Sequence, residues 1–441
     1  MNILEQQNGK WKITDRLALW KSEGPLLTDD LLDKLAELAV QVLSESDPEL
    51  LELAKEQRFA ASIYGRERTY SKHIRKGIAG TIALLGARPD ELTTCSEGKA
   101  ASVAFKVVNQ LLGNADSKNW ASLNDVLPLL AEASPDGFLQ IVSDASERHN
   151  GPFYGVFAEE DGGITGRNYA TGLLWALEAL AWSPDYLVRV CGILANLAAV
   201  DPGGNYSNRP MNSLVEILLP WLPCTCAEKE DRHNAIKCII RNQPDVAWQI
   251  LLKLLPKHQV SSAETYKPKW QSFIPEDWKN GVKNGQRRED EGFYADLALE
   301  LAGNDLGKLV ELLPFYFYIY PEFSNFMEDY RNRLVSEEIL TLPEEQLLFL
   351  WTEITKKTSN HRKYADSAAW NVPEEMLQQL DEVADKLKPQ EPEIRHRRLF
   401  SGRDFDLYNE KGKMGRTTPG SASQAHISFA GNKETWRVSS T

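Results

Sequence analysis

The chain of 441 residues lacks any long uncharged apolar run. A membrane-spanning helix needs roughly 18 to 20 such residues, so no membrane partner is expected. The opening stretch, MNILEQQNGKWKITDRL, contains no apolar core of a secretory signal. Cysteine is also scarce, and an odd count of five means that at least one thiol stays free or pairs outside the chain. A reducing environment suits such a protein, and we expect it to be cytoplasmic.

Positive charge is in deficit as well, because 63 acidic residues face 50 basic ones and give a formal net charge of −13. A general nucleic-acid binder needs a basic surface to neutralise phosphates, so this balance argues against a nucleic-acid partner. Motifs of catalysis are missing too. The stretch GNDLGKLVEL at Gly303 is one residue short of a phosphate-binding loop and lacks its hydroxyl, and no GxSxG elbow occurs. We therefore assign no catalytic residue and no cofactor.

Helical periodicity dominates from Leu26 to about Lys388. In LLTDDLLDKLAELAVQVL, for example, the apolar residues recur at the spacing of one helix face. Alternating polar and apolar runs rich in β-branched residues are almost absent, which argues against a sheet. The pattern predicts an all-α fold.

A proline followed by an acidic residue recurs along the chain and predicts helix starts. Proline at the first helical position loses an N–H that has no partner there, and the acid faces the positive end of the helix. The residue before proline is pushed out of the helical region, which ends the preceding helix. Each such joint therefore predicts a helical hairpin. The joints contain Pro48, Pro89, Pro135, Pro184, Pro244 and Pro343.

The spacing of the first five joints grows along the chain from about 40 to about 60 residues, and repeats of ~40 to 47 residues are typical of HEAT and armadillo helix pairs. The sequence therefore predicts a degenerate helical-repeat solenoid with insertions and a disordered C-terminal tail rich in Gly, Ser and Thr. The predicted organisation is a lead-in at 1–25, repeats at 26–257 with loop insertions at 149–172 and 200–212, an irregular connection at 258–290, further repeats at 291–390 and a mostly disordered tail at 391–441.

One group of residues has the chemistry of a zinc site. Cys224 and Cys226 form a CxC pair that is followed by His233, and these residue types suit zinc. The alternative is that the thiols are small apolar side chains of the core. If the three residues met, the chain would be a metal-dependent hydrolase or nuclease.

Two stretches are candidates for a binding surface. The basic stretch GRERTYSKHIRKG is either a phosphate site, and so a nucleic-acid-binding module, or a solvated or docking helix face. In VDPGGNYSNRP the glycines predict a helix stop, and the following helix is expected to begin with Asn212 and Ser213 as capping residues. The candidate binding residues in these two stretches are Arg66, Arg68, Lys72, Arg75, Lys76, Asn205, Tyr206, Asn208 and Arg209.

One long stretch carries a resemblance to a known class. ATGLLWALEALAWSPDYLVRVCGILANLAAVDPGGNYSNRPMNSLVEILLPWLPCT, continued by VAWQILLKLLP and TYKPKW, resembles the helical-repeat, sensor-like part of large bacterial STAND-type NTPases of antiphage defence. The resemblance runs from about Ile13 to Gly412. It implies a signalling role with the NTPase module on a separate chain, since no phosphate-binding loop is present. Relatives continue past LYNEKG as a charged helix, so we expect a fragment of a split or frame-disrupted gene.

Together these features favour a non-catalytic helical-repeat scaffold that mediates protein–protein recognition or signal sensing, because helical arrays present extended surfaces and need no catalytic residues. The two alternatives are a metal-dependent hydrolase or nuclease and a nucleic-acid-binding module.

Overall fold

The structure is a computed structural model. It describes residues 3–7, 10–54, 57–58, 61, 63–158, 168–204, 206–256, 262–279, 281–363, 372–391, 406–408 and 414–416. These residues are mostly helical, in agreement with the predicted all-α class. None of the helices in this part of the chain combines the length and the apolar character needed to cross a bilayer.

The helices follow one another in the order of the sequence. Their bounds are α1 Arg16–Glu23, α2 Asp29–Leu43, α3 Pro48–Glu52, α4 Lys72–Ala87, α5 Lys99–Leu112, α6 Ser117–Ser122, α7 Leu127–Ala133, α8 Pro135–Glu147, α9 Pro152–Ala158, α10 Thr171–Ala181, α11 Pro184–Val200, α12 Pro210–Leu218, α13 Lys229–Asn242, α14 Pro244–Leu254, α15 Asn284–Ala302, α16 Leu306–Leu312, α17 Phe326–Leu334, α18 Glu337–Leu340, α19 Glu344–Lys363 and α20 Glu374–Leu387. Short 3₁₀ helices lie at Gly24–Leu26, Pro89–Glu91 and Leu313–Phe317.

Two short antiparallel strand pairs are the described exceptions to the helical fold. The strands β1 (Leu4–Gln7) and β2 (Lys10–Ile13) pair within the predicted lead-in. The strands β3 (Asp406–Tyr408) and β4 (Met414–Arg416) pair within the predicted tail. Apart from Glu391 and β3 and β4, that tail lies outside the described residues.

The proline joints begin helices as predicted. Pro48, Pro135, Pro184 and Pro244 are the first residues of α3, α8, α11 and α14. At the second joint the proline begins the 3₁₀ helix Pro89–Glu91 instead. The sixth proline stands directly before α19.

The chain divides into two compact units, of which the first comprises Met1–Leu254 and Ser261–Asp290. Its helices pack in two rows: α4, α7, α10, α12 and α14 contact one another in succession, and so do α2, α5, α8, α11 and α13. The rows contact each other through pairs such as α4 with α5 and α10 with α11. Glycine allows close approach within the first row, since a Cβ on Gly86 of α4 would lie 1.8 Å from the carbonyl oxygen of Ala133.

The second unit comprises Leu255–Val260 and Glu291–Thr441. Within it α20 packs against α19 and α17, and α16 packs against α19. Its core contains the fully buried rings of Tyr316, Phe326 and Tyr330. The phenol of Tyr330 donates to the carbonyl of Leu309 over 2.7 Å, which satisfies its hydroxyl in the interior.

Candidate functional site

An irregular segment of the first unit, residues 262–279, lies across helices of the first row, and we name it the strap. It contains no helix or strand and falls within the predicted irregular connection, 258–290. The residues it contacts include one glutamate from each of three neighbouring helices, which we name the carboxylate row. The carboxylate row consists of Glu132 on α7, Glu178 on α10 and Glu216 on α12.

The strap meets the carboxylate row in order along its length. The amide of Ala263 donates to Glu216 over 3.1 Å, and the amide of Tyr266 donates to Glu178 over 2.9 Å. Neighbouring helices lie about 8–10 Å apart, whereas an extended chain covers about 3.3–3.6 Å per residue. Three residues are thus enough to reach from α12 to α10 when the backbone between Ala263 and Tyr266 is nearly extended, and the strap bends at 269–271 where it meets α7.

Glu132 forms the densest contact of the strap. Its Oε2 accepts the amides of Lys269, Trp270 and Gln271 over 2.9, 2.5 and 2.9 Å. The side chain amide of Gln271 returns to the Glu132 carbonyl over 2.8 Å. Such a set of converging N–H groups is a typical anion-binding arrangement of backbone. Here the anion is a side chain of the helix row and the amides belong to the strap.

Burial dominates the electrostatics of the carboxylate row. Glu132 is fully buried, and desolvation raises the pKa of its carboxyl above the ordinary value even though three amides favour the ionised form. Desolvation likewise raises the pKa of Glu178 and of Glu216. Within the described residues, Oε1 of Glu132 and Nε1 of Trp270 are buried without a hydrogen-bond partner. Each such group costs about 1–3 kcal/mol, so the strap is held by an imperfect fit.

Aromatic side chains anchor the strap beside the carboxylates. Tyr266 stacks on Trp175 of α10 with ring centroids 5.3 Å apart, and its carbonyl accepts the indole N–H of Trp182 over 3.2 Å. Trp278 meets Trp182 edge to face at 4.9 Å. Trp175 remains 40% exposed despite this contact. The anchors supply apolar contact area that backbone hydrogen bonds alone do not.

Asparagines at the starts of the same three helices explain why the carboxylates line up. The side chain amide of Asn124 donates to the backbone carbonyl of Asn168 over 3.4 Å, and the side chain amide of Asn168 donates to the backbone carbonyl of Asn208 over 3.3 Å. Asn124 also accepts the amide of Gly172 over 2.6 Å. Each asparagine precedes the glutamate of its helix by two to three helical turns. Because the helix starts are tied together, the glutamates fall on one line.

The basic stretch does not form one surface. Arg75 is fully buried, which corrects its prediction as a binding-surface residue. Its two Nη atoms donate to carbonyls at helix ends and its Nε is buried, so the guanidinium presents no donor to a phosphate in solution. Its acceptors, between 3.0 and 3.5 Å away, are the backbone carbonyls of Val42, Leu43, Glu45 and Ser122.

The other basic candidates differ in their surroundings. Arg68 is half-buried and pairs with Asp47 over 2.8 Å, and Arg66 is exposed and pairs with Glu52 over 2.9 Å. Lys72 is exposed on the first turn of α4, and Lys76 is exposed one turn later. The arginines thus serve the fold to different degrees, while the lysines face solvent.

The corner before α12 serves the fold. The side chain amide of Asn208 donates to Thr171 over 3.3 Å, and the buried Arg209 pairs with Asp201 over 2.9 Å. A buried arginine is not on a binding surface, which corrects that prediction. Gly203 adopts a φ of +77°, as the predicted helix stop requires. Tyr206 is half-buried. Asn205 lies outside the described residues.

The start of α12 differs from the predicted one. Pro210 is the first residue of α12 and Arg209 stands at its N-cap. Asn212 and Ser213 therefore lie inside the first turn rather than at the cap. The hydroxyl of Ser213 donates to Glu178 over 2.6 Å instead, which links α12 to the carboxylate row.

The zinc candidates do not converge. In the described part of the chain no group of three or more His, Cys, Asp or Glu side chains has the arrangement of a metal site. His233 lies 2.8 Å from a carboxylate oxygen of Asp290, whose other oxygen accepts from Arg232 over 2.6 Å. Cys224 is buried, and burial raises the pKa of its thiol and of the Cys226 thiol. The zinc alternative for Cys224, Cys226 and His233 therefore has no support in the geometry of the described residues.

The sequence analysis missed the strap and the carboxylate row, although the sequence holds a signal for them. An asparagine followed by a glutamate occurs near the start of α7, α10 and α12 alike, in NDVLPLLAE, NYATGLLWALE and NRPMNSLVE. A polar pair that recurs in three otherwise apolar helices is unusual and points to a common polar partner. The partner itself lies far away in the sequence.

Comparison with known proteins gives no parallel for this arrangement. No protein-family model, no curated protein and no solved structure matches the chain.

Proposed function

We propose that the chain is a non-catalytic helical-repeat scaffold that mediates protein–protein recognition, with the surface beneath the strap as its recognition surface. One observation carries the proposal: a polypeptide segment already lies across α12, α10 and α7 and is held by one carboxylate of each helix. Helical-repeat proteins present extended surfaces built from such corresponding positions.

The two rows of helices support a HEAT- or armadillo-like solenoid as the architecture of this scaffold. In such arrays each helix pair contacts only its neighbours, which is the order of contacts in the first unit. The proline joints mark the helix pairs, and the asparagines tie their starts together. We propose a cytoplasmic location, since all five cysteines are free thiols.

The wider context proposed is bacterial signalling or antiphage defence, as the sensor-like portion of a STAND-type assembly whose NTPase module lies on another chain. The support for this context is the resemblance of the stretch from Ala170 onward, which contains α10, α11 and α12 and continues into α14. A scaffold of this kind would report the presence of its partner to the NTPase.

Affinity capture from cells with two matched variants tests the recognition function. Trp175→Ala removes a 40% exposed ring next to the strap, and Tyr154→Ala removes a 42% exposed ring of α9 that has no part in the strap contacts described above. Both variants should remain folded, because each substitution removes a ring that is only partly covered and lies outside the core. We expect a partner protein that binds wild type and Tyr154→Ala and is lost with Trp175→Ala.

Equal recovery of every bound protein by the two variants would remove the recognition function from this surface. Direct binding of the purified partner, with and without Trp175→Ala, then measures the same difference in a defined system.

A further inference from the structure

We propose that the strap is an internal ligand of this surface, and that the external partner is an extended basic peptide segment with two aromatic side chains that competes with the strap. The inference rests on the proposed function, because it names the partner class and the regulation of that same surface. It follows from how the strap is held, from the charge of the surface and from the defects of the fit.

The hydrogen bonds of the strap are made by its backbone. The amides of Ala263, Tyr266 and Trp270 are donors that every peptide residue except proline possesses, and each meets a different carboxylate. A second extended peptide with the same spacing would present equivalent donors. Backbone contacts of this kind provide affinity, while side chains provide selectivity.

Two aromatic rings give the strap its selectivity. Tyr266 stacks on Trp175, and the ring of Trp270 is buried at 6% exposure. The two lie on either side of the lysines Lys267 and Lys269 in the sequence TYKPKWQSF. A competing segment therefore needs two aromatic residues about four positions apart.

The charge of the surface favours a basic segment. Three carboxylates face the strap, which presents amide donors to all three and the charge of Lys269 to Glu132, whereas Lys267 pairs with Glu264 of the strap over 3.2 Å. The ammonium of Lys267 lies 5.5 Å from the ring centre of Trp182, and that of Lys269 lies 4.8 Å from the ring centre of Trp270. Attraction between an acidic surface and a basic segment selects partners and speeds their association.

Defects in the fit make room for a competitor. Oε1 of Glu132 and Nε1 of Trp270 are buried without partners in the described residues. Trp175 keeps an exposed part next to its stacked partner. A segment that supplies a donor to Glu132 and covers Trp175 more fully would bind better than the strap does.

Binding of the peptide TYKPKWQSF, a copy of Thr265–Phe273, to the full chain tests the proposal. The strap of the double variant Tyr266→Ala/Trp270→Ala has lost two of its aromatic anchors and keeps the contact of Trp278 with Trp182, whereas the helices beneath it are unchanged. We expect the double variant to bind the peptide at least tenfold more tightly than wild type, because an occupied surface lowers the apparent affinity of a competitor. The same peptide with its tyrosine and tryptophan replaced by alanine should bind neither protein, and Tyr154→Ala should behave as wild type.

Amide hydrogen exchange of the wild-type chain provides the second measurement and needs no variant. We expect the amides of Tyr266, Trp270 and Gln271 to exchange by local opening, at least tenfold faster than amides in the middle of α10, and faster still with added peptide.

The outcomes separate the inference from the function on which it rests. A folded double variant that does not bind the peptide overturns the peptide partner. If the double variant binds the peptide but the strap amides of wild type exchange only on global unfolding, the strap is not displaced by a competing peptide. The surface then remains a recognition site. If the double variant does not fold, the single variant Tyr266→Ala and the wild-type exchange data decide in the same way.

Discussion

Two buried charges of the first unit, Arg75 on α4 and Glu132 on α7, hold backbone groups in opposite senses. Arg75 donates to carbonyls at the ends of α2 and α6, where helices leave their last carbonyls without partners. Glu132 accepts three amides from the strap, which has no regular structure of its own. Both side chains are fully buried, so both charges depend on these contacts.

The difference lies in what each charge holds. The carbonyls around Arg75 belong to helix ends that cannot leave without unwinding, and a cation near helix C-termini is favoured by the helix dipoles. The amides around Glu132 belong to a segment that is 137 to 139 residues distant in the sequence and that other peptide amides can replace. A buried charge thus serves as a fixed part of the core in one place and as a receptor for a segment in the other.

Removal of the arginine should have the largest effect and affect the whole unit. Arg75→Ala leaves buried carbonyls without donors and deprives Asp125 of a cation 3.9 Å away. We expect the free energy of unfolding to fall by about 4 kcal/mol, as for other broken buried pairs. Denaturant unfolding checks this. Arg66→Ala is the matched control, since its exposed pair should contribute at most about 1 kcal/mol. Similar losses in both variants would contradict the role of Arg75.

Removal of the glutamate should release the strap before it destabilises the unit. Glu132→Ala leaves three strap amides without an acceptor, and we expect a loss of about 3 kcal/mol. Hydrogen exchange should show the amides of Trp270 and Gln271 unprotected while α4 and α5 stay protected. The control Glu147→Ala removes an exposed carboxylate of α8 that accepts only from Ser143 in the contacts described, and it should leave the strap protected. If Glu132→Ala makes the amides of α4 and α5 exchange as fast as those of the strap, Glu132 is a fixed part of the core, as Arg75 is.

A glycine between the two sites provides a test with a smaller effect. Gly86 of α4 approaches α7 so closely that a Cβ would lie 1.8 Å from the carbonyl oxygen of Ala133, the residue after Glu132. Gly86→Ala must therefore push α7 away, at a cost of about 2 kcal/mol. Gly192→Ala in α11 meets nothing within 4 Å and should stabilise the unit by about 1 kcal/mol. If the unfolding midpoints of Gly86→Ala and Gly192→Ala shift in the same direction from that of wild type, this packing is contradicted.

Local physics explains which features of the fold could be predicted. Proline and its acidic neighbour define a helix start through their own backbone and charge, so Pro135 and Pro184 begin helices as predicted. The irregular backbone of the strap was also predictable, because its prolines and missing periodicity are local properties. The burial of Arg75 was not predictable, because a basic residue at a helix start is expected in solvent until the carbonyls around it are known.

The site itself depends on contacts between distant residues. No local pattern states that Glu178 will accept an amide from Tyr266, which follows it by 88 positions. Only the repetition of an asparagine and a glutamate in three helices hinted at a shared partner. Repeats are therefore better evidence for a site in such a chain than charge clusters are.

The smallest expected effect is a difference in pH dependence between the two sites, because Arg75 keeps its charge at every accessible pH whereas the carboxylate row titrates. Desolvation raises the pKa of Glu178, and the nearby Glu178 contributes to the raised pKa of Glu216. At a pH between the ordinary and the raised pKa, these carboxyls are protonated in the folded chain and ionised in the unfolded chain. The free energy of unfolding therefore falls as pH rises through that range. Glu178→Gln should flatten this slope, measured by denaturant unfolding at several pH values, whereas Glu147→Gln should keep it. An unchanged slope in Glu178→Gln would place the titrating groups outside the carboxylate row.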